Sequence, residues 1–418
     1  MTSEYTPVLL TLPSLTPSLA LEVLPHGLTI HRFIVQTDGR THDIVIGPES
    51  PEDHAYQKYT NSIVGRYANR IEVGTHAFER KGVKGELTAI LNEGKRVSLH
   101  GGPTGFDAVE WTKISAPTLF TPKEIAHLPT DGSDHAFFRL VSADGDQGFP
   151  GTLVTEVLIA LVAAEGSPAT EGEEHDLGSV VIVYRAKLEE EGKVTPINLT
   201  QHWGFNLDAS QKESHTPAGL SVKSHSLLIK SSHIANRDGD SLSRGFLPSD
   251  GPHAHDGKPI GEGYPPMGYD DYYKFAEPGF GVVPTRIPAA GVVSGQVDLL
   301  GDLIKADGTR VETKTELKSA KSGLKLAFDS NQGGLMFYSA AWTDSSKGAR
   351  KKIHGGSGER GKGDSYDAGC AVFLEFHDPL AAFLDPANKD AEDTLLTSGE
   401  VYHNYVRCDV KYKPVTEA

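Results

Sequence analysis

The chain has 418 residues, of which 38% are hydrophobic and 23% charged, as is ordinary for a globular protein. Its formal net charge of −16 argues against nucleic acid or an anionic membrane surface as a partner, because a polyanion would be repelled. The 45 glycines and 25 prolines favour short strands and turns over long helices, and no apolar run is long enough to predict a membrane span.

Alternating apolar residues along the chain predict antiparallel strands. Residues 28–36 and 42–46 flank an Asp-Gly turn and predict a hairpin. Three further pairs are predicted by the same pattern, and residues 194–207 are predicted to form one strand. The pairs are 151–162 with 179–188, 323–328 with 334–341, and 369–377 with 401–412. Since helical periodicity is nearly absent, we expect an all-β fold, a large antiparallel β-sandwich forming a single domain over residues 1–418.

Two stretches have the composition of insertions. Residues 164–178 are acidic and rich in Gly and Glu, and residues 344–367 are basic and rich in Gly. Because such segments bury little apolar surface, we expect mobile loops, and we expect the basic loop, residues 347–362, to be dispensable for neutral sugars.

The two cysteines, Cys370 and Cys408, lie in apolar strand-like segments. Their surroundings predict buried free thiols, and their number excludes a disulfide scaffold. A reducing compartment, the cytoplasm, fits this pattern.

A carboxylate stands in an otherwise apolar strand, Cys-Ala-Val-Phe-Leu-Glu-Phe, at residues 370–376. Burying an unpaired charge is costly, so Glu375 is a candidate general base, the alternative being an edge-strand glutamate that faces water. His202, in the segment 194–207, has a side chain that changes charge near neutral pH and suits proton transfer, although a hydrogen-bonded structural histidine is the alternative reading.

Further motifs accompany these two residues in a fixed order. They are Gly-Arg-Tyr-Ala-Asn-Arg-Ile at 65–71, Leu-His-Gly-Gly at 99–102 followed by Gly-Phe-Asp at 105–107, Gly-Tyr-Asp-Asp-Tyr at 268–272 and Asn-Gln-Gly-Gly at 331–334. Together with Phe-Leu-Glu at 373–375 and the His202 segment, they resemble the aldose 1-epimerase (galactose mutarotase) family. The resemblance covers about residues 25–412.

The resemblance implies a supersandwich fold and interconversion of the anomers of a free aldose, without a cofactor or metal. In the family a carboxylate takes the proton of the C1 hydroxyl while a histidine protonates the ring oxygen. Carried over residue by residue, Glu375 is the base, His202 the acid and His100 an auxiliary donor. Arg70, Asp270 and Gln332 would then position the sugar. Arg66 is expected to be structural and paired with a carboxylate.

The chain departs from the family pattern at several positions. The family segment Asn-Leu-Thr-Asn-His-Ser-Tyr-Phe-Asn-Leu has Gln201, Trp203 and Gly204 in place of its second Asn, its Ser and its Tyr. The indole of Trp203 could cover a sugar face, or it could pack in the core. Asp271 replaces the usual histidine, so either Asp270 or Asp271 could face the site.

Two other functions remain open at this point. A hexose 6-phosphate 1-epimerase would need several cations near C6, which the segment 344–367 could supply from Lys347, Arg350, Lys351, Lys352 and Arg360. A non-catalytic carbohydrate-binding protein could use the same scaffold, but such a protein would not need both histidines and the glutamate. The preferred aldose and the oligomeric state do not follow from the sequence.

Overall fold

A computed structural model describes residues 3–130, 132–165, 172–216, 218–277, 283–306, 312–385, 388 and 392–415. Within these residues the regular structure is almost entirely strand, and the α-helices α1 (Pro122–Ile125) and α2 (Ala289–Val293) are about one turn each. Over the same ranges there is no helix of the length and apolarity that a membrane crossing requires.

The strands succeed one another along the chain as β1 (Val8–Thr11), β2 (Leu19–Leu24), β3 (Thr29–Thr37), β4 (Arg40–Asp43), β5 (Ile63–Val64), β6 (Arg70–Glu72), β7 (Gly74–Arg80), β8 (Val83–Ala89), β9 (Val97–Leu99), β10 (Thr112–Ile114), β11 (His135–Ser142), β12 (Leu153–Val162), β13 (His175–Leu188), β14 (Val194–Pro196), β15 (Thr200–Gln201), β16 (Trp203–Phe205), β17 (Ser226–Ile229), β18 (Ser231–Arg237), β19 (Ser243–Pro248), β20 (Asp256–Pro259), β21 (Asp270–Phe275), β22 (Arg286–Pro288), β23 (Thr315–Lys318), β24 (Leu324–Ser330), β25 (Gly334–Tyr338), β26 (Val372–His377), β27 (Leu395–Thr397) and β28 (Glu400–Tyr412).

Three sheets carry the fold. The largest has the order β10-β11-β12-β13-β28-β24-β23-β17-β20, with β22 also paired to β28. A six-stranded sheet has the order β16-β26-β25-β21-β18-β19, and β1 to β4 form a four-stranded sheet in sequence order. The long central pairings, such as β12 with β13 and β25 with β26, are antiparallel.

The main core lies between these sheets. In β13, Val180 and Ile182 belong to this core, whereas Val181 and Val183 belong to a second core on the opposite face of the same sheet. Leu374, from the six-stranded sheet, also enters the main core. Strands buried on both faces explain the continuous apolar runs in the sequence. The prediction of an all-β antiparallel sandwich is confirmed.

The two strand pairings predicted in the N-terminal half of the chain are confirmed. β3 and β4 form the hairpin, with Asp38 and Gly39 at φ 52° and 64° in the turn, as a two-residue type I′ turn requires. β12 pairs with β13 over ten residue pairs, from Leu153 with Leu188 to Val162 with Ser179.

The two later predicted pairings are wrong. β24 lies in the ten-stranded sheet and β25 in the six-stranded sheet, so the chain changes layers between them. β26 and β28 are likewise in different sheets. A period-two pattern records which face of a strand is buried but not which strand pairs with it.

Residues 194–207 form three short strands instead of the one predicted. β14 pairs with β27, β15 with β5, and β16 with β26. Pro196 cannot donate a ladder hydrogen bond, and the Asn198 side chain bonds to the backbone carbonyl of Asp378 at 2.9 Å. The segment therefore changes its pairing strand twice within fourteen residues.

The prediction that residues 344–367 form a solvated loop is wrong for part of the segment, although residues 359–363 are exposed. Lys351 and His354 are both fully buried. The Lys351 ammonium lies 2.8 Å from a carboxylate oxygen of Asp43, and His354 Nε2 lies 2.7 Å from the Asp43 backbone carbonyl. Hydrogen bonds and ion pairs thus hold this Gly-rich segment to β4. Of the other predicted insertion, residues 166–171 lie outside the described residues, and its last residues begin β13.

Candidate active site

A cleft of about 850 Å³ lies over the six-stranded sheet, on the face that points away from the core. Strand alternation in β26 places the side chains: Val372, Leu374 and Phe376 enter the main core. Phe373 and Glu375 point the other way and line the cleft. Residues from distant parts of the chain complete the floor, namely Asn69, Arg70, His100, His202 and Asp270.

His202 and Glu375 are in direct contact. The pairing of Trp203 with Leu374 brings the preceding residue, His202, beside Glu375, and the distance from Nε2 to Oε1 is 2.9 Å. Burial would lower the pKa of His202, but the charge and hydrogen bond of Glu375 outweigh it and raise this pKa. The raised pKa favours the protonated form of the His202 imidazole beside Glu375. The other carboxylate oxygen, Oε2, has no hydrogen-bond partner among the described residues.

His100 lies beside this pair in the opposite protonation state. Its Nδ1 accepts a hydrogen bond from the backbone N–H of Asn69 at 3.2 Å, so the ring proton is on Nε2. Burial first, and then the positive charges of His202 and Arg70, hold the pKa of His100 well below its usual range. His100 is consequently a neutral donor next to a charged histidine, and the two rings meet edge to face at 5.3 Å.

The loop that carries His100 needs its glycine. His100 has φ 52° and Gly101 φ 86°, and a Cβ at Gly101 would lie 2.1 Å from the carbonyl oxygen of Gly65. The Leu-His-Gly-Gly motif thus lets this backbone pack against the start of the motif at 65–71, which contains Arg70.

Arg70 and Asp270 form the polar side of the cleft. The Arg70 guanidinium makes two hydrogen bonds to Glu93, at 2.6 and 2.9 Å, and Nη1 lies 3.9 Å from Asp270 Oδ2. Burial raises the pKa of Asp270, against the opposing charges of Arg237 and Arg70. Asp271 lines a different surface depression beside Arg237, so Asp270 is the acid on the cleft.

Two residues predicted to contact the sugar do not line the cleft. Trp203 is fully buried in the main core, with its ring 5.2 Å from Phe205 and 5.9 Å from Phe328. It points away because it follows His202 directly in an extended segment. Gln332 is also fully buried, and its amide donates to the Leu199 carbonyl at 2.9 Å. Gln332 supports the segment that leads to His202.

Arg66 is structural, as expected, but its partners are not carboxylates. Its guanidinium donates to the backbone carbonyls of Ser142, Ala143, Pro150 and Gly151. Without a compensating contact to a carboxylate, burial lowers the pKa of Arg66 to about 10.

Several cleft residues could not be found from the sequence. The Tyr59 ring contacts the His100 ring, with centroids 4.7 Å apart, and the Phe373 ring lies 4.9 Å from the His202 ring. Glu93, Tyr338 and Trp342 also line the cleft. Neither the chemistry nor the spacing of these residues marks them as site residues in the sequence. Asn69, which also lines the cleft, could have been found, because it adjoins Arg70 in the same motif. Its φ is 64°.

The three ionisable floor residues could also be considered as metal ligands. Ligating atoms of His100, His202 and Glu375 lie within 4.8 Å of one another, and two histidines with a glutamate are a known zinc set. However, a ligating histidine normally donates its other ring N–H to a neighbouring acceptor. His100 Nδ1 instead accepts a hydrogen bond from the Asn69 backbone N–H, so ligation through Nε2 would require an imidazolate. The donor set fits proton transfer better than metal binding.

Comparisons with known proteins identify the family of the chain. The sequence profile described as Aldose 1-epimerase matches residues 15–407. The chain therefore belongs to the aldose 1-epimerase family. It is 34% identical to galactose mutarotase of Bos taurus over 191 residues, which are 45% of each chain. It is 31% identical to aldose 1-epimerase of Escherichia coli K12 over 216 residues, 51% of this chain and 48% of that one. The aligned part thus spans about half the length of these relatives.

Solved structures show the same fold over nearly the whole chain. An aldose epimerase homologue from C. elegans aligns with a TM-score of 0.68 at 18% identity, covering 98% of this chain and all of that one. Galactose 1-epimerase from Lactobacillus acidophilus aligns with a TM-score of 0.62 at 17% identity, covering 98% and 99%. At these identities the likeness concerns the fold.

Proposed function

We propose that the protein is an isomerase that interconverts the α and β anomers of a free aldose by opening and reclosing the sugar ring. The observation that carries this proposal is the contact between His202 and Glu375, because it supplies a proton donor and a proton acceptor at one place on the cleft floor. The named relatives, galactose mutarotase and aldose 1-epimerase, support the same reaction.

In this mechanism Glu375 removes the proton from the C1 hydroxyl while His202 protonates the ring oxygen. The ring opens, the C1–C2 bond rotates, and reclosure reverses the two proton transfers. His100 donates from Nε2 to a sugar oxygen without changing its own charge. Arg70 and Asp270 bind hydroxyl groups, and holding the sugar against the acid–base pair lowers the entropic part of the barrier. Each step moves a proton between named oxygen and nitrogen atoms, so no redox partner is needed.

Polarimetry tests the proposal directly. Freshly dissolved α-D-glucose and α-D-galactose should approach equilibrium rotation faster with the protein than without it, and a chelator should not change the acceleration. A panel of hexoses and pentoses without any acceleration would overturn the proposal. The same panel ranks the aldoses, and it tests whether galactose is preferred.

The hexose 6-phosphate alternative loses support from the placement of the basic residues. Lys351 is buried against Asp43, and Arg350 donates to the Gly355 carbonyl. Lys347 and Arg360 do line the cleft, but each is paired with a carboxylate, Asp344 at 3.2 Å and Asp53 at 3.4 Å. Glucose 6-phosphate belongs in the assay as a comparison, and activity on it alone would favour the alternative.

The state of the two thiols bears on the cellular location. Cys370 and Cys408 are both free and buried, as the sequence predicts. Free thiols support a reducing compartment such as the cytoplasm.

A further inference from the structure

The cleft is larger than its reactive floor. Drug-sized ligands occupy pockets of about 300–1,000 Å³, and at about 850 Å³ this cleft has room beyond the sugar that His202 and Glu375 would hold. The remaining volume is lined by Trp342, Thr343 and Asp344 on one side and by Tyr56, Lys347 and Arg360.

A row of aromatic rings connects the reactive floor to this outer part. Phe373 lies 4.9 Å from the His202 ring, Tyr338 lies 5.6 Å from Phe373, and Trp342 lies 5.5 Å from Tyr338. The last two pairs are tilted by only 32° and 34°. The Tyr338 hydroxyl accepts a hydrogen bond from the Trp342 backbone N–H at 3.0 Å, which fixes the corner between them.

Trp342 is exposed at the end of this row. It is 59% exposed, whereas Trp111 and Trp203 are buried. An exposed indole on a cleft wall offers a flat apolar surface, and the C–H faces of a sugar ring pack on such surfaces. Thr343 and Asp344, the next residues, offer polar groups to sugar hydroxyls.

The charges of the outer part favour a neutral occupant. Lys58, Lys347 and Arg360 each lie within 4.0 Å of a carboxylate, from Asp107, Asp344 and Asp53 respectively. The Arg360 guanidinium also lies 3.5 Å from the ring centre of Tyr56. A phosphate would have to compete with these partners, whereas a second sugar ring would not.

We propose that the outer cleft is a second saccharide subsite, in which Trp342 stacks on the non-reducing unit of a reducing disaccharide while its reducing unit occupies the floor at His202 and Glu375. This inference rests on the proposed function for the position of the reducing unit. It also assigns a role to the segment 344–367, whose residues form one wall of the subsite.

Fluorescence tests the binding without requiring turnover. The chain has three tryptophans, and with Trp111 and Trp203 buried, acrylamide quenching reports mainly on Trp342. Lactose, maltose, cellobiose and melibiose are the probes, with galactose and glucose as single-ring comparisons. At least one disaccharide should protect Trp342 from acrylamide, and the monosaccharides should protect it far less. Equal quenching with all of these sugars would overturn the inference.

Polarimetry with variants gives the second measurement. Trp342→Ala should lower kcat/KM for the protected disaccharide by about threefold to tenfold relative to the monosaccharide value, because it removes one stacking contact. Trp342→Tyr should restore most of the loss. Phe246→Ala, which truncates an aromatic residue 38% exposed outside the cleft, is the matched control and should leave the ratio unchanged. If Trp342→Ala leaves the ratio of disaccharide to monosaccharide kcat/KM unchanged, the subsite is refuted. If the wild type does not act on monosaccharides, the proposed function is refuted. The quenching experiment then decides alone whether the subsite exists.

Discussion

Glu375 and His202 each stabilise the other's charge in a buried place. Neither would be tolerated there alone, since an isolated buried charge is costly. Their contact at 2.9 Å raises the pKa of His202, whereas the pKa of the neighbouring His100 is lowered. Environments that push pKa values apart in this way are how a single site holds an acid and a base together.

Replacing the carboxylate tests the role of this pair. Glu375→Gln keeps shape and hydrogen bonding but removes basicity, so kcat should fall by roughly two to four orders of magnitude. His202→Asn should act similarly, and the double variant should be little worse than the worse single one, because the two act as a unit. Arg70→Ala should instead raise KM as well. Circular dichroism separates these effects from unfolding, and a Glu375→Gln enzyme with near wild-type kcat would contradict the mechanism.

The pH dependence of the rate follows from the raised pKa of His202. If His202 is the acid, it must carry its proton, so kcat/KM should decline as pH rises through a pKa that lies above the ordinary value of about 6.5. His100 should not contribute to this decline, because its depressed pKa keeps it neutral there. A pH profile of the wild type and of His100→Gln should therefore share the alkaline limb. If the alkaline limb disappears in His100→Gln, the limb belongs to His100, and the assignment to His202 is contradicted.

Among the elements, the segment 344–367 shows most clearly where sequence reasoning stops. Its glycines and charges predict a solvated loop, yet Lys351 is fully buried against Asp43, more than 300 positions away. Composition reports how much apolar surface a segment can bury, but not whether a distant carboxylate compensates a lysine. The same limitation affects Trp203, whose chemistry suits a sugar contact and whose strand position turns it into the core.

The buried ion pair gives a stability prediction for this segment. Lys351→Met should destabilise the protein by about 1–3 kcal/mol, because the buried Asp43 carboxylate would lose its ammonium partner and keep the Arg32 guanidinium at 3.3 Å as its charged partner. Adding Asp43→Asn should recover part of this loss. Lys362→Met, in the same segment but 58% exposed, is the control and should change stability by less than about 0.5 kcal/mol. Urea denaturation measures all three, and an equal effect of the two single variants would contradict the structural role of the pair.

For the whole molecule, local patterns predict the class of fold and the neighbours in short hairpins, but not the order of strands. The final strand, β28, lies between β13 and β24 at the centre of the largest sheet, and no local pattern in residues 400–412 indicates this. The reactive floor was found because its residues belong to motifs of a known family. The row of aromatic rings in the cleft was not predicted, because Tyr338 and Trp342 do not belong to any of the family motifs. The single-domain organisation stays a prediction.

The molecule as a whole should lose stability in mild acid. Burial lowers the pKa of His54 and His255 to about 3 and of His354 to about 4, whereas unfolded histidines titrate near 6.5. Below about pH 6.5 the unfolded state therefore binds more protons, and each such histidine costs about 1.4 kcal/mol of unfolding free energy per pH unit. His202, with its raised pKa, acts in the opposite sense. Urea denaturation at pH 7 and pH 5 should show a marked decrease at the lower pH, and equal stabilities would contradict the buried neutral histidines.

The attachment of the cleft wall to β4 has a consequence for protein engineering. The cleft wall, residues 344–367, is a continuous stretch of 24 residues that could be transferred as one piece. Its anchors, however, are the Asp43 carboxylate, the Val45 carbonyl and the Gly47 backbone, near the other end of the chain. Transplanting residues 344–367 alone into a homologous scaffold would import a lysine without its acceptor. A successful graft has to move both pieces together, and a chimera carrying the wall without Asp43 is expected to be recovered mainly in insoluble form.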